Sequence, residues 1–292
     1  MSPVASASVP TVVVDGLALA EELRERLTSE VSAGVAAGRR PPCLAVVLVG
    51  DDPASASYIK GKRRACERVG LGSVEHKLPG DTPEAELLAL IGRLNRDDAV
   101  DGILVQLPLP KHIHANRIAS AIDAAKDVDG VGPLNAGKLL LGEVGLFPCT
   151  PLGILEILDR HRIRLEGAHA VVIGRSMIVG KPVSLLLQRR NATVTMCHSR
   201  TRDLAALCRG ADVLVSAVGI PRLVKADWIR PGAAVIDVGV SEVDGQLVGD
   251  VDFEAVLGVA GLLTPHRRGV GPMTITMLLQ NTLLAQRQRT GT

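Results

Sequence analysis

Residues 170–182 read AVVIGRSMIVGKP, and this stretch decides the fold. It opens on a short apolar run rich in β-branched residues, which predicts a buried strand. Gly174 favours a tight turn, and Pro182 suits the first turn of a helix. In such a strand–turn–helix unit, free backbone N–H groups at the start of the helix can bind phosphate. Ser176 occupies the place of the second glycine of the usual G-x-G-x-x-G pattern, so an ordinary turn remains the alternative.

The loop after the next predicted strand, 193–196, favours one dinucleotide over the other. Residues 197–202 read CHSRTR and hold no carboxylate, whereas NAD sites usually place an acid there for the ribose hydroxyls. A hydroxyl and guanidinium groups suit a 2′-phosphate through hydrogen bonds and charge. Ser199, Arg200 and the nearby Arg175 therefore predict NADP as the cofactor. The alternative is that these arginines are solvent-facing loop residues.

The alternation of strands and helices extends along the whole chain and predicts an α/β protein with parallel sheets. In the second half, the predicted strands 213–217 and 234–238 run into glycines, which let a ribose and a flat ring approach the backbone. The first half is predicted to contain strands at 43–49, 73–77 and 102–107 and helices at 17–37, 57–69, 82–94 and 116–124.

These units predict two domains with a cleft between them. Residues 149–273 form a Rossmann-type NADP-binding domain, and residues 1–148 form an N-terminal α/β catalytic domain. The stretch 126–148 is rich in glycine and too long for an ordinary connection, so we expect an irregular functional loop or a domain junction there. The apolar C-terminal segment 274–292 predicts a helix that packs back on the first domain.

The composition excludes several classes of protein and partner. Hydrophobic residues make up 47% and charged residues 22%, which argues for a folded chain. The net charge of +2 gives no long-range field for nucleic acid or an anionic membrane. No apolar run reaches the length of a membrane span. We therefore expect neither nucleic acid nor membrane as a partner.

The cysteines and the N-terminus indicate a cytoplasmic protein. The cysteine count, 5, is odd and no two cysteines form a C-x-x-C pair, which favours reduced thiols over a disulfide framework or a zinc site. The histidines are scattered, so no metal is expected. Residues 1–10 lack the basic start and apolar core of a signal peptide, and we expect a short disordered lead.

Tyr58 and Lys62 are the first candidate catalytic residues. Tyr58 is the only tyrosine of a chain poor in aromatic residues, and Lys62 follows it at i+4 on the same face of a predicted helix. Burial and neighbouring positive charge both lower the pKa of a lysine towards values useful for proton transfer. The basic neighbours in sequence are Lys60, Arg63 and Arg64. From spacing alone, a core tyrosine and a solvated lysine remain the alternative.

Three polar residues elsewhere in the first half are further candidates. Gln106 stands at the end of a predicted buried strand, where its amide must find a partner, either Lys62 or a substrate amide. Asp127 and Asp129 alternate in a loop that ends in Gly130. Such acids could bind the amino groups of a heterocycle or merely cap a turn.

Six ordered motifs give the chain a family resemblance that extends from about residue 12 to residue 284. They are YIKGK at 58–62, VQLPLP at 105–110, KDVDG at 126–130, PCTP at 148–151, GRSMIVGKP at 174–182 and GVGPMT at 269–274. With these motifs the sequence resembles the bifunctional methylenetetrahydrofolate dehydrogenase/methenyltetrahydrofolate cyclohydrolase family.

The resemblance implies two reactions: oxidation of methylene-tetrahydrofolate by NADP, then hydrolysis of the methenyl product to formyl-tetrahydrofolate. It implies that Lys62 is the catalytic lysine, that Gln106 positions it, that Tyr58 stacks on the folate and that Asp129 anchors the pterin. The implied folate-binding residues are Tyr58, Val105, Gln106, Asp129, Gly271 and Pro272. The implied cofactor-binding residues are Gly174, Arg175, Ser176, Ser199 and Val240, to which the loop chemistry adds Arg200. The family resemblance also implies a homodimer joined through the nucleotide-binding domains.

Two segments depart from the family pattern. Val131-Gly132-Pro133 stands where the family has an aromatic or large apolar residue followed by His-Pro. His266-Arg267-Arg268 stands where the family has Val-Pro-Gly. Both bear on how the folate is held, and neither removes a proposed catalytic residue.

Other functions remain open at this stage. One is a folate dehydrogenase with weak or lost cyclohydrolase activity, and another is a dehydrogenase of the same two-domain plan for a different small molecule, such as an amino acid. A non-catalytic NADP-binding paralogue is the alternative outside the enzymes.

Overall fold

The computed structural model describes residues 10–291, and of residues 53–58 it describes the backbone. The expectation of a disordered lead therefore falls outside this range, apart from Pro10, which is exposed. Within the described part the chain forms two compact units, one made of residues 10–19 and 150–273, the other of residues 20–149 and 274–291. No helix in this part is long and apolar enough to cross a membrane.

The regular elements are as follows. The helices are α1 (Gly16–Ala36), α2 (Pro53–Val69), α3 (Glu84–Arg96), α4 (Ala115–Ala121), α5 (Pro133–Leu141), α6 (Cys149–Arg160), α7 (Gly180–Arg189), α8 (Leu204–Arg209), α9 (Phe253–Val256) and α10 (Val270–Thr290). The strands are β1 (Val12–Val13), β2 (Cys43–Val49), β3 (Gly72–Leu78), β4 (Gly102–Val105), β5 (His169–Ile173), β6 (Thr193–Cys197), β7 (Val213–Ser216), β8 (Ala234–Asp237), β9 (Val240–Val243), β10 (Gln246–Gly249) and β11 (Leu262–Leu263).

The unit made of residues 20–149 and 274–291 is built on a three-stranded parallel sheet in the order β3-β2-β4. The central strand β2 is buried along residues 44–49, as its unbroken apolar run predicts for a strand covered on both faces. On α3, Leu87, Leu90, Ile91 and Leu94 lie on one face of the helix and pack into the same core. Burial of each such side chain stabilises the fold by about 1.5–3 kcal/mol.

The other unit is built on a six-stranded sheet in the order β1-β11-β8-β7-β5-β6, with every pairing parallel. The chain passes from β5 to β6 on one side and then returns to β7 on the other side of β5. The strand order therefore reverses beside β5, and such a reversal is where open α/β sheets bind ligands. The prediction of an α/β fold with parallel sheets is confirmed.

The structure divides the chain near its N-terminus differently from the predicted domains. We assigned residues 1–148 to the first domain, but residues 10–19 belong to the unit of residues 150–273. Val12 and Val13 of β1 pair with Leu262 and Leu263 of β11 and extend the six-stranded sheet. A two-residue strand leaves no periodic signal, so only its partner identifies it.

The stretch 126–148 is less irregular than predicted. It contains α5, which begins at Pro133 and ends before Gly142, a residue in the left-handed conformation with φ of 78°. Proline in the first turn and glycine just past the end are the usual helix boundary signals, and they were present in the sequence. The high glycine content of the stretch masks these signals.

Candidate active site

Four strands of the larger sheet end in register. Ile173 of β5 pairs with Cys197 of β6 and with Ser216 of β7, and Ser216 pairs with Asp237 of β8. Because these strands are parallel, the chain leaves all four at the same edge of the sheet. The residues predicted to contact the cofactor follow these strand ends: Gly174, Arg175, Ser176, Ser199, Arg200 and Val240. This carboxyl edge is the candidate dinucleotide site.

The turn after β5 requires glycine at two positions. Gly174 has a φ of 120°, and a Cβ there would lie 2.5 Å from the carbonyl oxygen of Ala217. A Cβ on Gly180 would lie 2.2 Å from the carbonyl oxygen of Gly174. The close approach of these backbones explains why G-x-x-x-x-x-G, rather than the usual glycine pattern, is found here.

The N–H groups that can bind phosphate differ from those we predicted. The first turn of α7 is already satisfied, because Ser176 Oγ accepts from the N–H groups of Val179 (3.2 Å) and Gly180 (3.3 Å) and the Ser176 carbonyl accepts from Lys181 (3.0 Å). Among the described residues, no acceptor is found for the N–H groups of the exposed loop 175–178. The free N–H groups therefore belong to the loop 175–178, and the side chain of Ser176 caps the start of α7.

The loop after β6 presents the predicted phosphate ligands to solvent. Ser199 and Arg200 are exposed, and the loop is fixed beneath them by two bonds: the Arg200 N–H donates to His198 Nδ1 (3.1 Å), and the His198 N–H donates to Thr201 Oγ1 (2.9 Å). No carboxylate of the described residues pairs with Arg175 or Arg200. Both guanidinium groups are thus available to an anion.

Lys62 and Gln106 are brought together in the smaller sheet's unit. Lys62, on α2, donates from Nζ to Oε1 of Gln106 at 2.8 Å. Gln106 follows β4 directly, its backbone N–H donates to the carbonyl of Val47 on β2, and its Nε2 donates to the carbonyl of Leu107 at 2.7 Å. Of the two partners we allowed for this amide, Lys62 is the one that it contacts in the structure. Val105, the last residue of β4, is buried.

The pKa of Lys62 is lowered, as predicted, but burial alone is responsible. Burial lowers it, and the nearby acids Asp129, Cys149 and Cys66 oppose the shift. The predicted contribution of neighbouring cations is wrong: no cation is among the causes of the shift, and the basic residues 60, 63 and 64 are exposed on α2.

The two alternating acids have different environments. Asp127 caps the turn that follows it: its carboxylate accepts from the N–H groups of Val131 (3.3 Å) and Gly132 (2.8 Å) and from Asn135 Nδ2 (3.0 Å). Asp129 lies close enough to Lys62 for their charges to interact, and no hydrogen bond to its carboxylate is found among the described residues. Burial raises its pKa, and the charge of Lys62 opposes the shift. Asp129 is therefore the acid with free capacity to bind a ligand.

The sequence analysis missed two residues that shape this site. Asn281 of α10 is buried and donates from Nδ2 to the carbonyls of Val128 (2.8 Å) and Phe147 (2.9 Å), on either side of the Asp129 loop. Cys149 is buried, its thiol donates to the carbonyl of Val128 at 3.3 Å, and burial raises its pKa well above the usual value. The only signal for Asn281 was an amide within an apolar helix, which needs a partner when buried.

For the remaining residues predicted to bind folate, the position of the backbone can be described. Tyr58 lies on α2 one turn before Lys62, and its side chain is outside the described part of the structure. Gly271 and Pro272 lie in the first turn of α10, within the unit of residues 150–273. A Cβ at Gly271 would meet nothing within 4 Å, so packing within the chain does not require glycine there.

The fold and these sites define a class: α/β proteins with a dinucleotide-binding domain and a domain that carries a half-buried lysine. Comparison with known proteins identifies the family. Residues 14–129 match the catalytic domain of tetrahydrofolate dehydrogenase/cyclohydrolase, and residues 148–290 match its NAD(P)-binding domain. The chain belongs to this family, and the predicted resemblance is confirmed.

Individual relatives agree with this assignment over nearly the whole chain. A bifunctional protein FolD of Rhizorhabdus wittichii is 54% identical over 285 residues, which cover 96% of this chain and 94% of the relative. The structure of the bifunctional FolD methylenetetrahydrofolate dehydrogenase/cyclohydrolase of Campylobacter jejuni has a TM-score of 0.93 at 46% identity and covers 96% of this chain and 99% of its own. The Trypanosoma brucei methylenetetrahydrofolate dehydrogenase-cyclohydrolase, solved with NADP cofactor and an inhibitor, has a TM-score of 0.91 at 38% identity and covers 97% of this chain and 99% of its own.

Proposed function

We propose that this protein oxidises methylene-tetrahydrofolate to methenyl-tetrahydrofolate with NADP and hydrolyses the product to formyl-tetrahydrofolate. The observation that carries the proposal is the Lys62–Gln106 hydrogen bond of 2.8 Å, together with the carboxylate of Asp129, which interacts with the charge of Lys62 and accepts no hydrogen bond from the described residues. This arrangement supplies an amine of lowered pKa and an acceptor for a heterocycle in one small site.

The dehydrogenase reaction depends mainly on positioning. When bound, the nicotinamide accepts a hydride from the methylene carbon of the folate, so the protein must orient the two rings and exclude competing reactions. We infer that the free carboxylate of Asp129 holds the amino groups of the pterin. Tyr58, one turn before Lys62, is proposed to stack on the folate.

The cyclohydrolase reaction needs proton transfer. Water adds to the methenyl carbon, and the proton it loses is proposed to pass to the neutral amine of Lys62. As the carbon–nitrogen bond breaks, the ammonium of Lys62 returns this proton to the leaving nitrogen, and the hydroxyl of the tetrahedral intermediate loses its proton to solvent as the formyl carbonyl forms. Gln106 fixes the direction of Nζ in both states, because its Oε1 accepts a hydrogen bond from an amine or an ammonium. Burial of Lys62 favours the neutral form needed for the first step.

NADP, rather than NAD, is the proposed cofactor. The exposed N–H groups of residues 175–178 can hold the diphosphate, and Arg175, Ser199 and Arg200 supply charge and a hydroxyl for a 2′-phosphate. The relative from Trypanosoma brucei was solved with NADP, which supports this choice. Gly174 and Val240 complete the set of proposed cofactor contacts.

A homodimer in the cytoplasm is the proposed working form. The strand β6 pairs only with β5 among the described residues, so its other edge is open, and Met196 of this strand is 39% exposed. An open apolar edge of this kind suits a second copy of the chain. The cysteines, which form no disulfide, favour a reducing compartment. Light scattering of the purified protein should give the mass of two chains.

A single spectroscopic assay tests the two activities. Purified protein mixed with methylene-tetrahydrofolate and NADP should produce the methenyl absorbance, followed by its decay faster than the spontaneous rate. Methenyl product without accelerated decay would indicate a dehydrogenase that has lost cyclohydrolase activity. If no NADPH is formed and no folate is bound, the proposed function is wrong.

A further inference from the structure

A pair of buried carboxylates lies directly beneath the carboxyl edge of the six-stranded sheet. Asp250 is fully buried and Asp237, the last residue of β8, is 3% exposed. Burial raises the pKa of Asp237 to about 7. Burying two carboxylates side by side costs free energy, so a pair at this place calls for a role. Neither residue was assigned one by the sequence analysis.

Asp250 fixes the loop that follows β7. Its Oδ2 accepts from Ser216 Oγ (3.0 Å) and from the N–H of Val218 (2.8 Å), and its Oδ1 accepts from the N–H of Ile220 (2.9 Å). Both oxygens of one side chain therefore hold the strand end and the loop 217–220. A loop held by several bonds to one buried charge has little freedom to take another shape.

Asp250 is itself held by the end of the neighbouring strand. Its backbone N–H donates to Oδ1 of Asp237 at 2.9 Å, and the N–H of Val251 donates to Oδ2 of Asp237 at 3.1 Å. The N–H of Asp237 donates in turn to Thr264 Oγ1 at 2.7 Å. The ends of β7 and β8 are thus joined through two carboxylates.

The backbone around the pair is packed without room for side chains. A Cβ on Gly239 would lie 2.0 Å from Oδ1 of Asp250, and a Cβ on Gly249 would lie 1.9 Å from Oδ2 of Asp237. On the other side, the carbonyl oxygen of Ala217 lies only 2.5 Å from the place that a Cβ of Gly174 would occupy. A shift of the loop 217–220 would therefore disturb the turn after β5 and the chain leading to Val240.

We propose that Asp250 is a positioning residue for the dinucleotide: it does not touch the cofactor, but its hydrogen bonds to Ser216, Val218 and Ile220 hold the loop 217–220 in the shape that binding requires. This inference rests on the proposed function of the carboxyl edge as the NADP site. The side chain of Asp250 would then act on cofactor binding only through the backbone of the loop 217–220, which it holds in place.

The test is the variant Asp250→Asn, which keeps the size of the side chain but replaces one acceptor oxygen by a donor. The dissociation constant and the KM for NADP should rise about 10-fold or more, the equivalent of losing one or two buried charged hydrogen bonds. The kcat at saturating NADP should fall less than about threefold, because the chemistry is not altered. Hydrolysis of added methenyl-tetrahydrofolate, which needs no NADP, should stay within about twofold of wild type.

Two further variants make the test sharp. Asp252→Asn makes the same chemical change two residues away, at a side chain that pairs with Lys225 on the surface, and should leave the dissociation constant for NADP unchanged. Ser216→Ala removes one donor to Asp250 and should raise this constant by a smaller factor, about two- to fivefold. If Asp250→Asn does not fold, Ser216→Ala decides the question.

The outcomes distinguish this inference from the proposed function. Wild-type protein that binds no NADP would overturn both. If wild-type protein binds NADP and folded Asp250→Asn binds it equally well, the inference alone is wrong. It is also wrong if dehydrogenase and cyclohydrolase activities fall together, since that result indicates a general loss of structure.

Discussion

Lys62 illustrates how a common residue acquires chemistry through its surroundings. In the sequence it is one of several basic residues on a helix, and the structure leaves its neighbours in solvent while it alone is half-buried. Gln106 receives its hydrogen bond, and Asp129 opposes the effect of burial on its pKa. Gln106 and Asp129, both far from Lys62 in the chain, thereby influence the orientation and the pKa of its amine.

The first prediction at this scale concerns the amine itself. Lys62→Met should lower the cyclohydrolase kcat by about 100-fold or more, because the proton carrier is lost, while some dehydrogenase activity remains. The measurement is the decay of methenyl absorbance together with NADPH formation. Lys60→Met, which changes an exposed lysine on the same helix, should leave both rates unchanged. Full cyclohydrolase activity in Lys62→Met would contradict the assigned role.

A second prediction concerns the pH dependence of the same step. The charge of Asp129 raises the pKa of Lys62, so Asp129→Asn should lower that pKa further. The reaction needs the neutral amine, which then forms at lower pH, so the acid limb of the cyclohydrolase kcat profile should move to lower pH. The profile is measured at saturating folate, because the variant should also bind folate more weakly. Asp123→Asn, at an exposed position, serves as control; an acid limb that stays in place or moves up would refute the coupling.

At the scale of elements, the carboxyl edge of the six-stranded sheet gathers loops that are distant in sequence. The strands β6, β5, β7 and β8 end on paired residues, so the chain leaves them side by side. The loop 175–178 offers N–H groups, and the loop 198–202 offers a hydroxyl and guanidinium groups. Residues 217–220 are held from below by Asp250. The proposed cofactor site is thus assembled from loops that are distant in sequence and that offer different groups to a ligand.

The prediction at this scale concerns the choice of dinucleotide. Arg200→Glu should weaken NADP binding by about 10-fold or more and NAD binding by less than about threefold, because only NADP carries the 2′-phosphate that Arg200 is proposed to contact. Titration with each dinucleotide gives both dissociation constants. Arg164→Glu makes the same charge change before β5, on the amino side of that strand, and should affect neither. An equal loss for both dinucleotides in Arg200→Glu would remove the argument for the 2′-phosphate.

At the scale of the whole molecule, the two ends of the sequence complete units formed by its middle. The strand β1 extends the sheet of residues 150–273, and α10 supplies Asn281 to the carbonyls beside the Asp129 loop. Thr11 shows the first case in detail: its Oγ1 donates to the carbonyl of Ala260 at 2.6 Å and accepts from the N–H of Gly258 at 2.8 Å. Contacts between residues so far apart in sequence reduce chain entropy, and burial and hydrogen bonding must offset this loss.

The prediction at this scale tests whether the hydrogen bonds of Thr11 stabilise the fold. Thr11→Val should lower the free energy of unfolding by about 1–3 kcal/mol, because a donor and an acceptor in a partly buried place lose their partner. Urea unfolding followed by circular dichroism measures the change. Thr11→Ser keeps the hydroxyl and should lie much closer to wild type. If the valine and serine variants are equally stable, the two hydrogen bonds do not contribute as described.

The sequence by itself determined the periodic elements, the parallel α/β class and the identity of most candidate residues, because these depend on local patterns and on short ordered motifs. Tertiary structure alone decided which of the two acids caps a turn and which faces Lys62, which N–H groups remain free after β5, and where residues 10–19 belong. It also brought Asp237, Asp250 and Asn281 to their places. Hydrogen bonds and burial join residues that are distant along the chain, and no local pattern records which buried polar group will meet which partner.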